Sequence, residues 1–116
     1  MATLVGATTF VTTGAAQAVD PCNDICFYWG SNLSGSVRSY TRGEVRADFG
    51  GDTFTSIGDG QGERVKNNAA SVYNDTSLTA EVCYNENYGS PCDLVSPYSW
   101  RNLNHTWNDN ASFHWL

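Results

Sequence analysis

The stretch Asn67-Asn68-Ala69-Ala70-Ser71 returns, lightly edited, as Asn108-Asp109-Asn110-Ala111-Ser112. Each copy opens on a pair of Asn or Asp residues. It closes on Ser and runs into an apolar or aromatic segment, Val72-Tyr73 in one copy and Phe113-His114-Trp115 in the other. Upstream lies a second echo. Cys26-Phe27-Tyr28 and Cys83-Tyr84 both lead into an aromatic- and Asn-rich turn that ends in Gly. A unit used twice sets the architecture before any local propensity is weighed. The copies differ in length: Cys26 to Asn67 spans 41 residues, Cys83 to Asn108 only 25. The excess in the first copy is rich in Gly and Asp, around 43–62.

Helical periodicity is absent. Alternation is plain from Leu78 through Ala80 and Val82 to Tyr84, a pattern that puts these four residues on one face of a strand. Further short strands are predicted at 26–29, 37–40, 45–49, 53–57, 71–73, 93–95, 100–103 and 112–115. Gly, Asn, Asp, Ser and Pro separate them, as turn chemistry requires. Many short strands with regular turns predict an all-β sandwich or barrel. Most aromatic residues are expected in the core, and Trp107, Phe113 and Trp115 on a closing strand. Gly58-Asp59-Gly60-Gln61-Gly62 reads as a mobile loop. It lacks the Gly-Lys-Ser/Thr that would make it a phosphate loop.

The first 18 residues carry no charge and close on Ala16-Gln17-Ala18, the small-residue pattern of a signal-peptide cleavage site. They lack a basic leading segment. The expectation is export, with removal of 1–18 and one mature domain over 19–116. No later stretch is apolar enough to span a membrane. All twelve acids and all six bases fall after residue 18, and the formal net charge is −6. An acidic chain with scattered Arg and Lys argues against a nucleic-acid partner. A domain this short gains little from core burial alone, and four cysteines in an exported chain indicate disulfides. Three connectivities are possible. Pairing Cys22 with Cys26 and Cys83 with Cys92 is favoured, because each pair then brackets a turn within one copy. Each closure is worth roughly 2–3 kcal/mol in the chain-entropy model. The spacings, with only His105 and His114 to help, fit structural zinc poorly.

The segment Tyr28-Trp29-Gly30-Ser31-Asn32-Leu33-Ser34-Gly35 resembles the corner that opens a βγ-crystallin Greek key. The two Asn/Asp-x-x-Ser elements resemble that family's calcium signature. Small secreted bacterial metalloproteinase inhibitors, the SMPI-like peptidase inhibitor family, combine this fold with a close N-terminal Cys pair and a second pair in motif two. The resemblance runs from Cys22 to Trp115. It implies two Greek-key motifs, about 22–74 and 78–116, forming one βγ-crystallin-like sandwich. It also implies weak calcium binding, with Asn67, Asn68, Ser71, Asn108, Asp109 and Ser112 as candidate ligands. Calcium takes six to eight oxygens, and two related turns are a way to supply them. The departures are specific. Leu33 stands where an aromatic is usual, and the second corner, Tyr84 to Gly89, is one residue shorter. Val72 and Phe113 replace the last Ser of each signature.

The resemblance implies a secreted, extracellular peptidase inhibitor that acts as a monomer on a secreted protease. Its inhibitory loop is expected at Tyr84, Asn85, Glu86, Asn87 and Tyr88, braced by Cys83 and Cys92, because a preorganised loop loses little entropy on binding. The alternatives are a calcium-binding structural module and a killer-toxin-like antimicrobial protein, both without inhibitory activity. Enzymatic activity is not expected, since no Ser or Cys sits in a nucleophile setting. Glu86 and Asp93 read as solvated surface acids. Asn-x-Ser/Thr sequons occur at Asn32, Asn74, Asn104 and Asn110.

Overall fold

A computed structural model describes residues 22–116, so the signal peptide expected at 1–18 lies outside the described residues. The strands in chain order are β1 (Ile25–Gly30), β2 (Ser34–Tyr40), β3 (Ser71–Asn74), β4 (Ala80–Cys83), β5 (Cys92–Val95), β6 (Ser99–Asn102) and β7 (Ser112–Trp115). They form two antiparallel sheets, β2-β1-β3-β6 and β5-β4-β7. Each half of the chain lends a segment to the other's sheet. Strand β6 comes from the second half but pairs with β3 of the first, opposing Tyr73 to Trp100. In return Arg46 bridges Phe113 of β7, through Arg46 N–H to Phe113 O at 3.0 Å and Phe113 N–H to Arg46 O at 2.9 Å. This reciprocal lending is what two Greek keys in one sandwich require.

Apolar residues at every second position of these strands turn inward and meet. Phe27 and Val72 oppose each other in one sheet, Val82 and Phe113 in the other, and all four are fully buried. Phe27, Tyr40, Phe49 and Phe113 form an aromatic cluster with ring centroids 5.1–6.0 Å apart. Truncating Phe113 to Ala would empty the centre of both sheets and cost about 3–5 kcal/mol. Among the described residues no buried side-chain N or O lacks a hydrogen-bond partner.

Several expectations need correction. The 45–49 and 53–57 segments are not strands; each makes one isolated bridge, Arg46 with Phe113 and Thr53 with Arg64. Phe49 and Phe54 are buried there by side-chain packing rather than by a ladder. Tyr84 does not share the buried face of Ala80 and Val82, because β4 ends at Cys83 and leaves Tyr84 44% exposed. Trp107 lies outside β7 and is exposed, its indole N–H donating to Ser31 Oγ at 3.3 Å. The Gly58-to-Gly62 loop is tied down: Asp59 O accepts from Ser36 N–H at 2.8 Å, and Glu63 N–H donates to Gly60 O at 3.0 Å.

Candidate functional site

The repeated element has a backbone reason. Asn67 and Asn108 both adopt positive φ, 65° and 55°, a conformation Asn tolerates far better than most residues. Each then donates its N–H across the molecular pseudo-twofold, Asn67 to Asn110 O at 2.8 Å and Asn108 to Ala69 O at 3.0 Å. Ala70 N–H donates to Tyr28 O, and Ala111 N–H to Cys83 O, both at 2.9 Å. Cys83 therefore occupies the place of Tyr28. With that alignment the second corner is not shortened: the aromatic position holds a cysteine instead.

The two Ser residues latch the two corners. Ser71 Oγ donates to Gly30 O at 2.6 Å and accepts from Leu33 N–H at 2.9 Å. Ser112 Oγ donates to Asn85 O at 2.6 Å and accepts from Tyr88 N–H at 3.0 Å. The residues so held are strained. Leu33 and Tyr88 have φ of 57° and 63°, a left-handed state that costs a bulky residue about 1–2 kcal/mol. A buried hydroxyl that both gives and receives one hydrogen bond offsets that cost at each corner.

Around the second corner, Glu86–Tyr88 forms a single 3-10 turn. Its base is closed by the Cys83–Cys92 disulfide, and a Cys22–Cys26 disulfide staples the start of β1. Tyr84 N–H donates to Pro91 O at 2.9 Å, Asn85 N–H to Gly89 O at 3.1 Å and Asn87 N–H to Ala47 O at 2.8 Å. The five expected loop residues are thus contiguous but not equivalent. Tyr88 is a corner residue, stacked on the His114 ring at 4.1 Å. Tyr84, Asn85, Glu86 and Asn87 are exposed.

Asn67 and Asp109 meet this corner across a cavity of about 540 Å³, lined also by Lys66, Tyr84, Asn85, Glu86, Asn87 and Ala111. Of the six candidate calcium ligands, Asn67 and Asp109 are the two that line this cavity. Ser71 and Ser112 serve different corners, and Asn68 Nδ2 donates to Arg64 O at 2.9 Å. The cavity already holds a cation. Lys66 Nζ lies 2.5 Å from Glu86 Oε2 and 2.9 Å from Asp48 Oδ1. Hydrogen bonds to Glu86, then to Asp48, raise the Lys66 ammonium above its ordinary pKa. The Gly50 backbone N–H, then Lys66, hold the Asp48 carboxyl below its own. The sequence carried no signal for this trio, since its members are 18 and 20 residues apart. Lys66 thus neutralises Asp48 and Glu86, neither of which is among the candidate calcium ligands.

Asp93 was expected on the surface and is 2% exposed. Its carboxylate accepts from the backbone N–H groups of Asn104, His105 and Thr106 and from the Thr106 hydroxyl, at 2.7–3.2 Å. Burial alone raises such a carboxyl, but hydrogen bonds from Thr106, Asn104 and His105 outweigh it and hold Asp93 below the ordinary range. Asp93 and Glu86 therefore do not act as a pair. The histidines stay apart in role: His114 Nε2 meets Glu81 Oε1 at 2.6 Å, while His105 is exposed. Glu81, Cys83 and His114 cluster closely, but Cys83 is spent in its disulfide and offers no thiolate. The sequon residues Asn74 and Asn110 are fully buried and hydrogen-bonded, so neither presents a glycan acceptor.

Among curated proteins none matches the chain significantly. The fold is similar to that of a solved structure described as "Evolution of the eye lens beta-gamma-crystallin domain fold", with a TM-score of 0.62 and 11% identity, over 87% of this chain and 93% of that one. Residues 15–95, more than half of the chain, match the sequence pattern of peptidase inhibitor family I36. The chain belongs to peptidase inhibitor family I36 and carries a βγ-crystallin domain fold.

Proposed function

We propose that this peptidase inhibitor is exported and holds a secreted metalloproteinase through the disulfide-braced segment 84–91. The observation that carries the reading is the closure of that segment. Cys83 and Cys92 are bonded directly beneath it, and the hairpin hydrogen bonds of Tyr84 and Asn85 hold its backbone. Tyr84, 44% exposed, is its anchor, and an aromatic on a rigid support is the type of residue that dominates interfaces. Little entropy remains to be lost on binding. Two disulfides support an oxidising, extracellular location. In this reading the chain is a binder and not an enzyme, and it works as a monomer without calcium, Lys66 supplying the positive charge beside Glu86.

The test is a titration of the purified protein against thermolysin, a metalloendopeptidase, and against a trypsin-like serine endopeptidase. Thermolysin is inhibited at micromolar or lower protein, and Tyr84→Ala weakens that inhibition by about tenfold or more. Inhibition of the serine enzyme alone overturns the metalloproteinase assignment. Undiminished inhibition by Tyr84→Ala overturns the loop assignment. Repeating the titration in EDTA-treated inhibitor, with zinc and calcium restored for the enzyme, tests the independence from calcium.

A further inference from the structure

We infer that the 55–62 loop is a second peptidase-binding element, which presents the Ile57 side chain to the apolar specificity pocket of an endopeptidase. The inference rests on the inhibitor function and is independent of the 84–91 segment. Ile57 is 92% exposed. One exposed apolar side chain is commonplace; the way this one is mounted is not.

Both flanks of Ile57 hang on β2, one on Ser36 and Val37 and the other on Ser36 alone. On one side, Ser56 Oγ accepts from Val37 N–H at 2.8 Å, and Ser56 O accepts from the Ser36 hydroxyl at 2.5 Å. On the other side, Asp59 O accepts from Ser36 N–H at 2.8 Å. Only Ile57 and Gly58 lie between these anchors. The far side of the loop is closed by Gln61 N–H to Gly58 O at 3.1 Å and Gly62 N–H to Phe54 O at 2.9 Å. The loop lies directly on the β1–β2 hairpin. A Cβ at Gly60 (φ 86°) would stand 2.1 Å from the Trp29 ring, and one at Gly58 (φ 144°) 3.1 Å from Ser36 N. Glycine is required at both places, because a Cβ at either would crowd the hairpin beneath.

Ile57 itself makes no hydrogen bond among the described residues: its side chain, N–H and C=O all remain free. A peptidase reads these three groups in a substrate, the side chain in a pocket and the backbone by strand-like hydrogen bonds. A β-branched side chain has few rotamers to lose, and the doubly anchored backbone has little freedom left. The Tyr84 segment offers an aromatic, this loop an aliphatic side chain, so the two suit different pockets.

The experiment compares Ile57→Asp, Ile57→Val and Tyr84→Ala with the unaltered protein, against thermolysin, which cleaves beside branched aliphatic residues, and against the trypsin-like enzyme. Because Ile57 is exposed, all Ile57 variants are expected to melt at the temperature of the unaltered protein. The inference expects Ile57→Asp to weaken inhibition of thermolysin by about tenfold or more, while Ile57→Val retains it. Undiminished inhibition by Ile57→Asp, with loss in Tyr84→Ala, overturns this inference and leaves the 84–91 assignment standing. The reverse pattern supports this inference and overturns that assignment. An unaltered protein that inhibits neither enzyme overturns both.

Discussion

At the first corner the Ser71 hydroxyl spans Gly30 O and Leu33 N–H; at the second, the Ser112 hydroxyl spans Asn85 O and Tyr88 N–H. The latches match in partner type and reach, yet their surroundings differ. The first corner is tied to neighbouring segments. Asn32 N–H donates to Asn102 Oδ1 and Asn102 Nδ2 returns a bond to Asn32 Oδ1, while the 55–62 loop lies across Gly35 and Trp29. The second is open on its pocket side and held from beneath, by the Cys83–Cys92 bond, the Tyr88–His114 stack and Lys66. The same strained turn is thus stabilised by neighbours in one copy and by a crosslink in the other. Stabilisation from beneath is what leaves Tyr84 free above.

That contrast can be broken in several ways. The largest effect is expected from Cys83→Ser with Cys92→Ser, which should cost roughly 2–3 kcal/mol in urea unfolding. Removing Cys22–Cys26, which closes a shorter loop, should cost less. Equal losses would mean that the second corner does not depend on its crosslink. Next, Ser71→Ala and Ser112→Ala should each cost about 1 kcal/mol or more, because each strands a part-buried carbonyl and N–H. Combined with loss of the Cys83–Cys92 bond, Ser112→Ala should be non-additive, and Ser71→Ala additive, since only the first pair shares a corner.

A smaller, pH-dependent effect comes from Asp93, which organises the turn leading into the second repeat. Its folded carboxyl is held below the ordinary value, about 3.9 in an unfolded chain. Its contribution is therefore present above about pH 4 and is lost as pH falls through the lower, folded value. Asp48 acts with the same sign. Melting midpoints measured from pH 6 down to pH 2 should fall in acid, and the fall should be shallower in Asp93→Asn. The smallest effect is expected from calcium. Millimolar calcium or EDTA should leave the melting midpoint unchanged, and a clear rise with calcium would show that the repeated Asn/Asp-x-x-Ser turns bind it.

Much of this was legible from local pattern. The alternation at Ala80 and Val82, the echo of Asn67 to Ser71 at Asn108 to Ser112, and the closely spaced cysteines are short-range signals. What stayed hidden depends on distant partners. The 45–49 and 53–57 segments have strand-like composition but find only a single bridge each, because Phe49 and Phe54 are consumed by the core. Asp93 resembles any loop acid until three backbone N–H groups, from residues 11–13 further on, are folded toward it. The 58–62 loop looks mobile from its glycines, but Gly58 admits the β2 backbone and Gly60 admits Trp29.

The sequence by itself determined that the chain builds two related β units stapled by cysteines, because strand alternation, turn chemistry and loop closure are properties of neighbouring residues. Only the tertiary structure decided what the repeated serines do, where Lys66 sits and which side chains face outward. Those outcomes follow from hydrogen bonds and packing between residues about 20 to 70 positions apart, and such contacts exist only once both sheets have closed on the Phe27–Phe113 core.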